Sequence, residues 1–170
     1  MVNDIKNVST FDTVNHPFHY AGQGSVECID FIKVLIAPYQ GVIAGDLQNV
    51  LKYTYRAHYK NGIEDIKKAR WYAGHAVREI YRQQNDTELI ARAWRTAFVK
   101  RTTEEQILFE KACKEIEERL AEQEVSCFRE MVHAIDSANL YQFKKGPVWL
   151  LNALDEWITI YPGAEGGNCG

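Results

Sequence analysis

Between Asn49 and Arg56 the chain reads Asn-Val-Leu-Lys-Tyr-Thr-Tyr-Arg. On a helix Asn49, Lys52, Tyr53 and Arg56 share one face, because they lie three, four and seven positions apart. An amide, an ammonium, a phenol and a guanidinium are thereby gathered together. Lysine brings a mobile point charge and arginine a planar fork, both suited to phosphate oxygens. Tyrosine can stack on a base or hydrogen-bond through its hydroxyl. Asparagine can read a base edge or orient a phosphate. The competing reading is a solvated surface face, which commonly carries the same residue types.

A second segment follows. Glu64 to His75 carries Asp65, Lys67, Lys68, Arg70, Trp71 and Tyr72, with Lys60 just before it. Asp65, Lys68 and Tyr72 share a helical face. Asp65 there could hold Mg²⁺ or orient Lys68; the plainer alternative is a surface salt bridge worth a few tenths of a kcal/mol, roughly. His19 and Tyr20 stand beside Gly22 and Gly24, and a histidine in such a loop can serve as acid, base or phosphate ligand. The chain has no G-x-x-x-x-G-K-[ST] motif, so any nucleotide chemistry is not of the Walker type. Glu27 and Asp30, with Asp46 on the next helix, offer a partial Mg²⁺ cage of hard oxygen ligands. All-α NTP pyrophosphohydrolases use two such pairs, but here the second ends in Asn49.

These residues need helices to hold them. Ser25 reads as the cap of a helix over 26–36 with Ile29, Ile32, Leu35 and Ile36 turned inward, ended by Pro38. A second helix is expected from about Ala44 to Tyr59, a turn at Asn61-Gly62, and a third from Ile63 to about Gln83. Beyond Asn85 further helices follow, over 87–100 and from Glu104 into the 120s, continuing to Asp136 with or without a break. Thr103 and Gln106 fit a capping box for the latter. Val148 to Ile160 reads as a short apolar helix. No alternating strand run of useful length appears, so the expected fold class is all-α.

The charge distribution sharpens the functional reading. Residues 1–102 carry 14 Lys/Arg against 10 Asp/Glu, and residues 103–170 carry 6 against 13. A local basic excess between Lys52 and Arg70 suits phosphate-bearing ligands. A net charge of −3 argues against a nucleic-acid coat protein. The four cysteines, Cys28, Cys113, Cys127 and Cys169, are too scattered for a zinc site or disulfide framework. The first residues do not resemble a signal peptide, and no apolar run is long enough for a membrane span. A soluble cytoplasmic protein is the expectation.

The motifs in order, Pro17-Phe18-His19-Tyr20, Glu27 with Asp30, Asn49 to Arg56, Lys60 to Ala69, and Trp71-Tyr72, resemble those of a small bacteriophage family described as SaV-like or nucleotide-kinase-like. Its pattern runs P-x-H-Y, G-N-x-x-K-Y-x-x-R, K-x-G-x-x-D-x-x-K-A-x-x-Y, and the likeness covers about 70 of the 170 residues. Gln48 stands where that pattern has glycine. The family includes an atypical kinase that phosphorylates deoxynucleoside monophosphates. The resemblance implies catalytic roles for Lys52, Arg56 and Lys68, substrate contacts from His19, Tyr20, Asn49, Tyr53 and Lys60, and metal contacts from Asp30 and Asp65. It implies Mg²⁺ and ATP as cofactors, and a nucleotide or similar phosphorylated molecule as partner, in an infected bacterial host. The expected layout is a flexible arm over 1–14, a helical domain over 15–84, a helical extension over 85–162 that builds an oligomer or covers the site, and a disordered tail over 163–170. A homo-oligomer is expected from the thin core of the first three helices. Two alternatives remain open: a module that sequesters a nucleotide without turnover, and an NTP pyrophosphohydrolase using Glu27, Asp30 and Asp46.

Overall fold

A computed structural model describes Pro17, Tyr20 and residues 25–97 and 100–162. His19 and the segments expected to form the arm and tail lie outside the described residues. The helices are α1 (Cys28–Ile36), α2 (Gly41–Arg56), α3 (Ile63–Gln83), α4 (Thr87–Ala97), α5 (Thr103–Glu117), α6 (Glu122–Ile135), a single turn α7 (Asn139–Gln142) and α8 (Gly146–Ile160). Three-residue 3-10 turns follow α2 and α6. No strand occurs among the described residues, and the protein is all-α. None of the helices is long and apolar enough to cross a membrane.

The α2–α3 hairpin frames everything else. Its turn needs a backbone that reverses within a few residues, and Gly62 supplies it at φ +55°, a conformation costly for a residue with a Cβ. The Gly62 N–H closes the turn by donating to Ala57 O at 2.8 Å. Ile43, Leu47, Val50 and Leu51 of α2 and Ile66, Ala69, Ala73, Ala76 and Ile80 of α3 are withdrawn from water. The three alanines of α3 leave little side chain between the helices, and the separation of packed helices follows the side chains at the contact. α8 then packs on α3 and on α6.

The extension completes this core. Phe31 of α1 lies 6.2 Å from Phe128 of α6, which meets Trp157 of α8 edge-on at 6.4 Å between ring centroids. The buried side chains from Val26 to Tyr161 form one cluster, so helices on both sides of residue 84 share a core. Complete burial of a large apolar side chain contributes about 1.5–3 kcal/mol. Loss of the extension would therefore uncover apolar surface on α1 and α3.

Several local expectations are corrected. α1 is rotated from the expected phase: Cys28, Phe31, Ile32 and Leu35 face inward, and Ile29 is 45% exposed. The reason is Phe31, whose ring is claimed by both Phe109 and Phe128. Ser25 does not cap α1; its hydroxyl donates to Glu115 Oε1 at 2.6 Å. α2 begins at Gly41, ahead of the expected start, and the α-helix ends at Arg56. The capping box of α5 is built from Thr102 and Glu105, one residue earlier than expected. The long helix expected after it breaks between Glu117 and Glu122, where Glu124 Oε2 accepts from the Ala121 N–H.

A candidate phosphate-binding face on the α2–α3 hairpin

Two helices running antiparallel bring their polar faces side by side. On α2 the relevant residues are Asp46, Asn49, Tyr53 and Arg56; on α3 they are Asp65, Lys68, Tyr72 and His75. Both sets have steps of three, four and three. That spacing keeps a single stripe in line along each helix. Because the turn joins the helices directly, the register sets Arg56 against Asp65 at the turn end and Asp46 against His75 at the far end.

At the turn end lies a buried ion pair. Arg56 donates from Nε to Asp65 Oδ2 at 2.8 Å and from Nη2 to Oδ1 at 3.3 Å. Its Nη1 reaches the Tyr20 hydroxyl at 2.8 Å. Asp65 is 0% exposed and also accepts from Asn61 Nδ2 at 3.0 Å and Lys68 Nζ at 3.5 Å. Burial alone would raise the Asp65 carboxyl. The hydrogen bonds from Arg56 and Asn61, with the charges of Arg56 and Lys68, outweigh it and hold the group below the usual carboxylate range. For Arg56, burial works against the cation, but bonding to Asp65 and then Tyr20 prevails and raises its value.

The middle of the stripe centres on Tyr53. Lys52 Nζ lies 4.7 Å from the centre of its ring, the Arg56 guanidinium carbon 4.6 Å and Lys68 Nζ 5.8 Å. The same ring stacks on Tyr72 at 5.7 Å. Lys52 donates to Asn49 Oδ1 at 2.6 Å, and Asn49 in turn donates to Gly45 O. An ammonium has three donors. Lys52 has a neutral acceptor for one of them, and Lys68 has a single long contact to Asp65, so both retain donors for a ligand. Other cations of this basic stretch are committed. Arg70 grips Asp155 of α8 at 2.8 and 3.1 Å, and Lys67 pairs with Glu64 at 3.0 Å. Lys60 is exposed on the turn.

The structure therefore brings together Tyr20, Asn49, Lys52, Tyr53, Arg56, Asp65 and Lys68. Asp30 stands apart, 3.6 Å from Lys33 on its own helix. Asp46 is committed to His75, at 2.6 Å from Nδ1. No group of three or more His, Cys, Asp or Glu side chains suited to a metal occurs among the described residues. Among the described residues, Asp30, Asp46 and Asp65 are thus each engaged by a side chain of the protein.

The Asp46–His75 contact was not foreseen in the sequence, although a signal was available: each residue continues its helix's polar face by one turn. The stripe is an open surface. A cleft of about 660 Å³ opens elsewhere, lined by Val34, Pro38, Arg101, Gln106 and Ile107 among others. Burial pushes the thiols of buried Cys28 and half-buried Cys113 up to about 12, away from the reactive thiolate.

Comparison with known proteins gives one likeness. The model of a family described as a protein of unknown function (DUF3310) matches residues 14–74, the segment that contains α1, α2 and most of the polar face of α3. No curated protein and no solved structure matches the chain.

Proposed function

We propose that the α2–α3 face binds the phosphate end of a nucleotide and that the protein is a nucleoside monophosphate kinase using ATP. The observation that carries the binding is the convergence of Lys52 and Lys68, from two helices, on one tyrosine ring with donors to spare. Two ammonium groups at a partly desolvated surface suit phosphate oxygens, whereas the buried Arg56 fork is already filled by Asp65. Arg56 and Asp65 then act as positioning residues: they fix the turn end of the stripe, and Arg56 holds the Tyr20 hydroxyl beside it. The kinase assignment is supported by the family resemblance of residues 15–81. In that reaction an oxygen of the monophosphate attacks the γ-phosphorus of ATP, the bond to the β,γ-bridging oxygen breaks, and a nucleoside diphosphate and ADP result. Lys52 and Lys68 would stabilise charge on the transferred group.

A second reading is sequestration without turnover. It is favoured by the closed Asp65 pair, which leaves that carboxylate no room to take part in phosphoryl transfer.

The test is incubation of the purified protein with pooled ribo- and deoxynucleotides, with and without ATP and Mg²⁺, followed by mass spectrometry of bound and converted species. A monophosphate converted to diphosphate, lost in Lys52→Ala and Lys68→Ala, is the expected result. A nucleotide retained unchanged selects sequestration. Neither retention nor conversion refutes both.

A further inference from the structure

The stripe does not end at Tyr53. Beyond it on α3, Trp71 is 61% exposed, an unusual position for the largest apolar side chain. Its indole is not loose. It stacks on the His75 imidazole at 5.9 Å with the planes 8° apart, and meets the Tyr72 ring edge-on at 4.9 Å. His75 is fixed from behind by Asp46, a buried residue of α2, at 2.6 Å. Tyr72 is fixed by its stack on Tyr53. A wide, rigid π-surface therefore faces solvent one helical turn from Lys68.

Tyr53 is poorly placed to take a base itself, because its ring already packs against Tyr72 and the Arg56 guanidinium. Trp71 has one face against His75 and the opposite face available. We propose that this outer indole face is the platform on which the nucleobase stacks, with the phosphates reaching back to Lys68 and Lys52. The inference rests on the reading of the stripe as a nucleotide site. It adds the ligand's orientation and its class: an aromatic base carrying phosphate, as opposed to a sugar phosphate or an inorganic polyphosphate. The Asp46–His75 pair is a positioning device, since holding the imidazole still removes most of the ordering that a stack on a free indole would require. Base–aromatic stacking tolerates every base because each has a π-face.

The experiment measures affinities of the full chain for the four deoxynucleoside monophosphates, ribose 5-phosphate and inorganic tripolyphosphate, in the native protein and in Trp71→Ala, Trp71→Phe and Lys68→Ala, with circular dichroism to verify the fold. Trp71→Ala is expected to weaken nucleotide binding about tenfold to a hundredfold, to leave tripolyphosphate unaffected, and to be largely rescued by Trp71→Phe. Lys68→Ala should weaken both kinds of ligand. If Trp71→Ala keeps full nucleotide affinity while Lys68→Ala loses it, the platform is overturned and the phosphate site stands. Equal losses of nucleotide and tripolyphosphate in Trp71→Ala overturn it too, because the indole would then act only by holding the face. Binding of none of the probes by the native protein overturns the platform together with the nucleotide reading.

Discussion

Asp65 and Glu124 are both wholly withdrawn from water, and their company is opposite in kind. Asp65 is gripped by the Arg56 guanidinium and approached by the Lys68 ammonium, so cations outnumber it at the edge of an open face. Glu124 lies in the core of the extension. Trp157 Nε1 donates to its Oε1 at 2.8 Å, His58 Nε2 stands 3.1 Å from the same oxygen, and the Ala121 N–H donates to Oε2 at 3.0 Å. Tyr161 stacks over His58 at 5.3 Å and closes the cluster. The first carboxylate organises surplus positive charge that faces outward. The second fastens α6, α8 and the turn after α2 with hydrogen bonds from mostly neutral donors. On the proposed function, a buried acid beside permanent cations with donors to spare belongs to a ligand face, and one held mainly by neutral donors belongs to a structural joint.

The largest expected effect comes from breaking the first arrangement. Asp65→Ala leaves Arg56 charged, buried and unpaired, and should cost about 3–5 kcal/mol of stability by urea denaturation at neutral pH. Replacing both partners, as in Arg56→Met with Asp65→Leu, should recover most of that loss, because well-packed apolar residues often match a buried ion pair. The double variant should nevertheless bind nucleotide weakly, since the turn end of the stripe would lose its fixed register. Full nucleotide retention in this double variant would show that the pair plays no part in positioning.

Glu124→Gln should cost less, about 1–3 kcal/mol, because the amide oxygen can still accept from Trp157 while the capping bond to Ala121 is lost. Nucleotide retention should be unchanged in this variant at temperatures where it stays folded. Loss of retention in folded Glu124→Gln would erase the division between ligand face and structural joint.

Acid probes the Asp65 arrangement by a different route. The Asp65 carboxyl lies below its unfolded value, so its contribution to stability is fully present above about pH 4 and is lost as pH falls through the lower folded value. Urea midpoints followed from pH 6 down to pH 2.5 should therefore drop more steeply in the native protein than in the Arg56→Met, Asp65→Leu variant. Parallel curves would mean that other carboxylates govern acid unfolding.

How much of this was legible in the sequence depends on the distance between partners. The Asn61-Gly62 turn and α3 were read correctly because a glycine signal and a helical period are local. The four-residue face of α2 was visible for the same reason. The phase of α1 was misread because its isoleucines looked like the core stripe, and nothing nearby indicated that Phe31 would meet Phe109 and Phe128. The capping box slipped by one residue because Thr102 and Thr103 are adjacent and followed by Glu105 and Gln106; only Glu105 returns to the Thr102 N–H. The Asp65–Lys68 contact three residues apart was legible, but the main partner of Asp65, Arg56, was not, because it lies across the turn. The burial of Glu124 was not legible, since its side-chain partners Trp157 and His58 are 33 and 66 residues away.

The smallest effect on stability is expected from Lys68→Ala, and it is the sharpest discriminator. The Lys68 side chain is 47% exposed and touches Asp65 only at 3.5 Å, three residues away on the same helix. Pairs of that kind contribute a few tenths of a kcal/mol, roughly, so the urea midpoint should scarcely move. A charged hydrogen bond to a phosphate is worth more, and its loss should lower nucleotide affinity about tenfold. Stability and binding would then part company at one residue, as expected of a side chain that serves the ligand and not the fold. If Lys68→Ala instead lowers stability as much as Glu124→Gln does, with affinity unchanged, Lys68 belongs to the Asp65 joint and the positive face contracts to Lys52 alone.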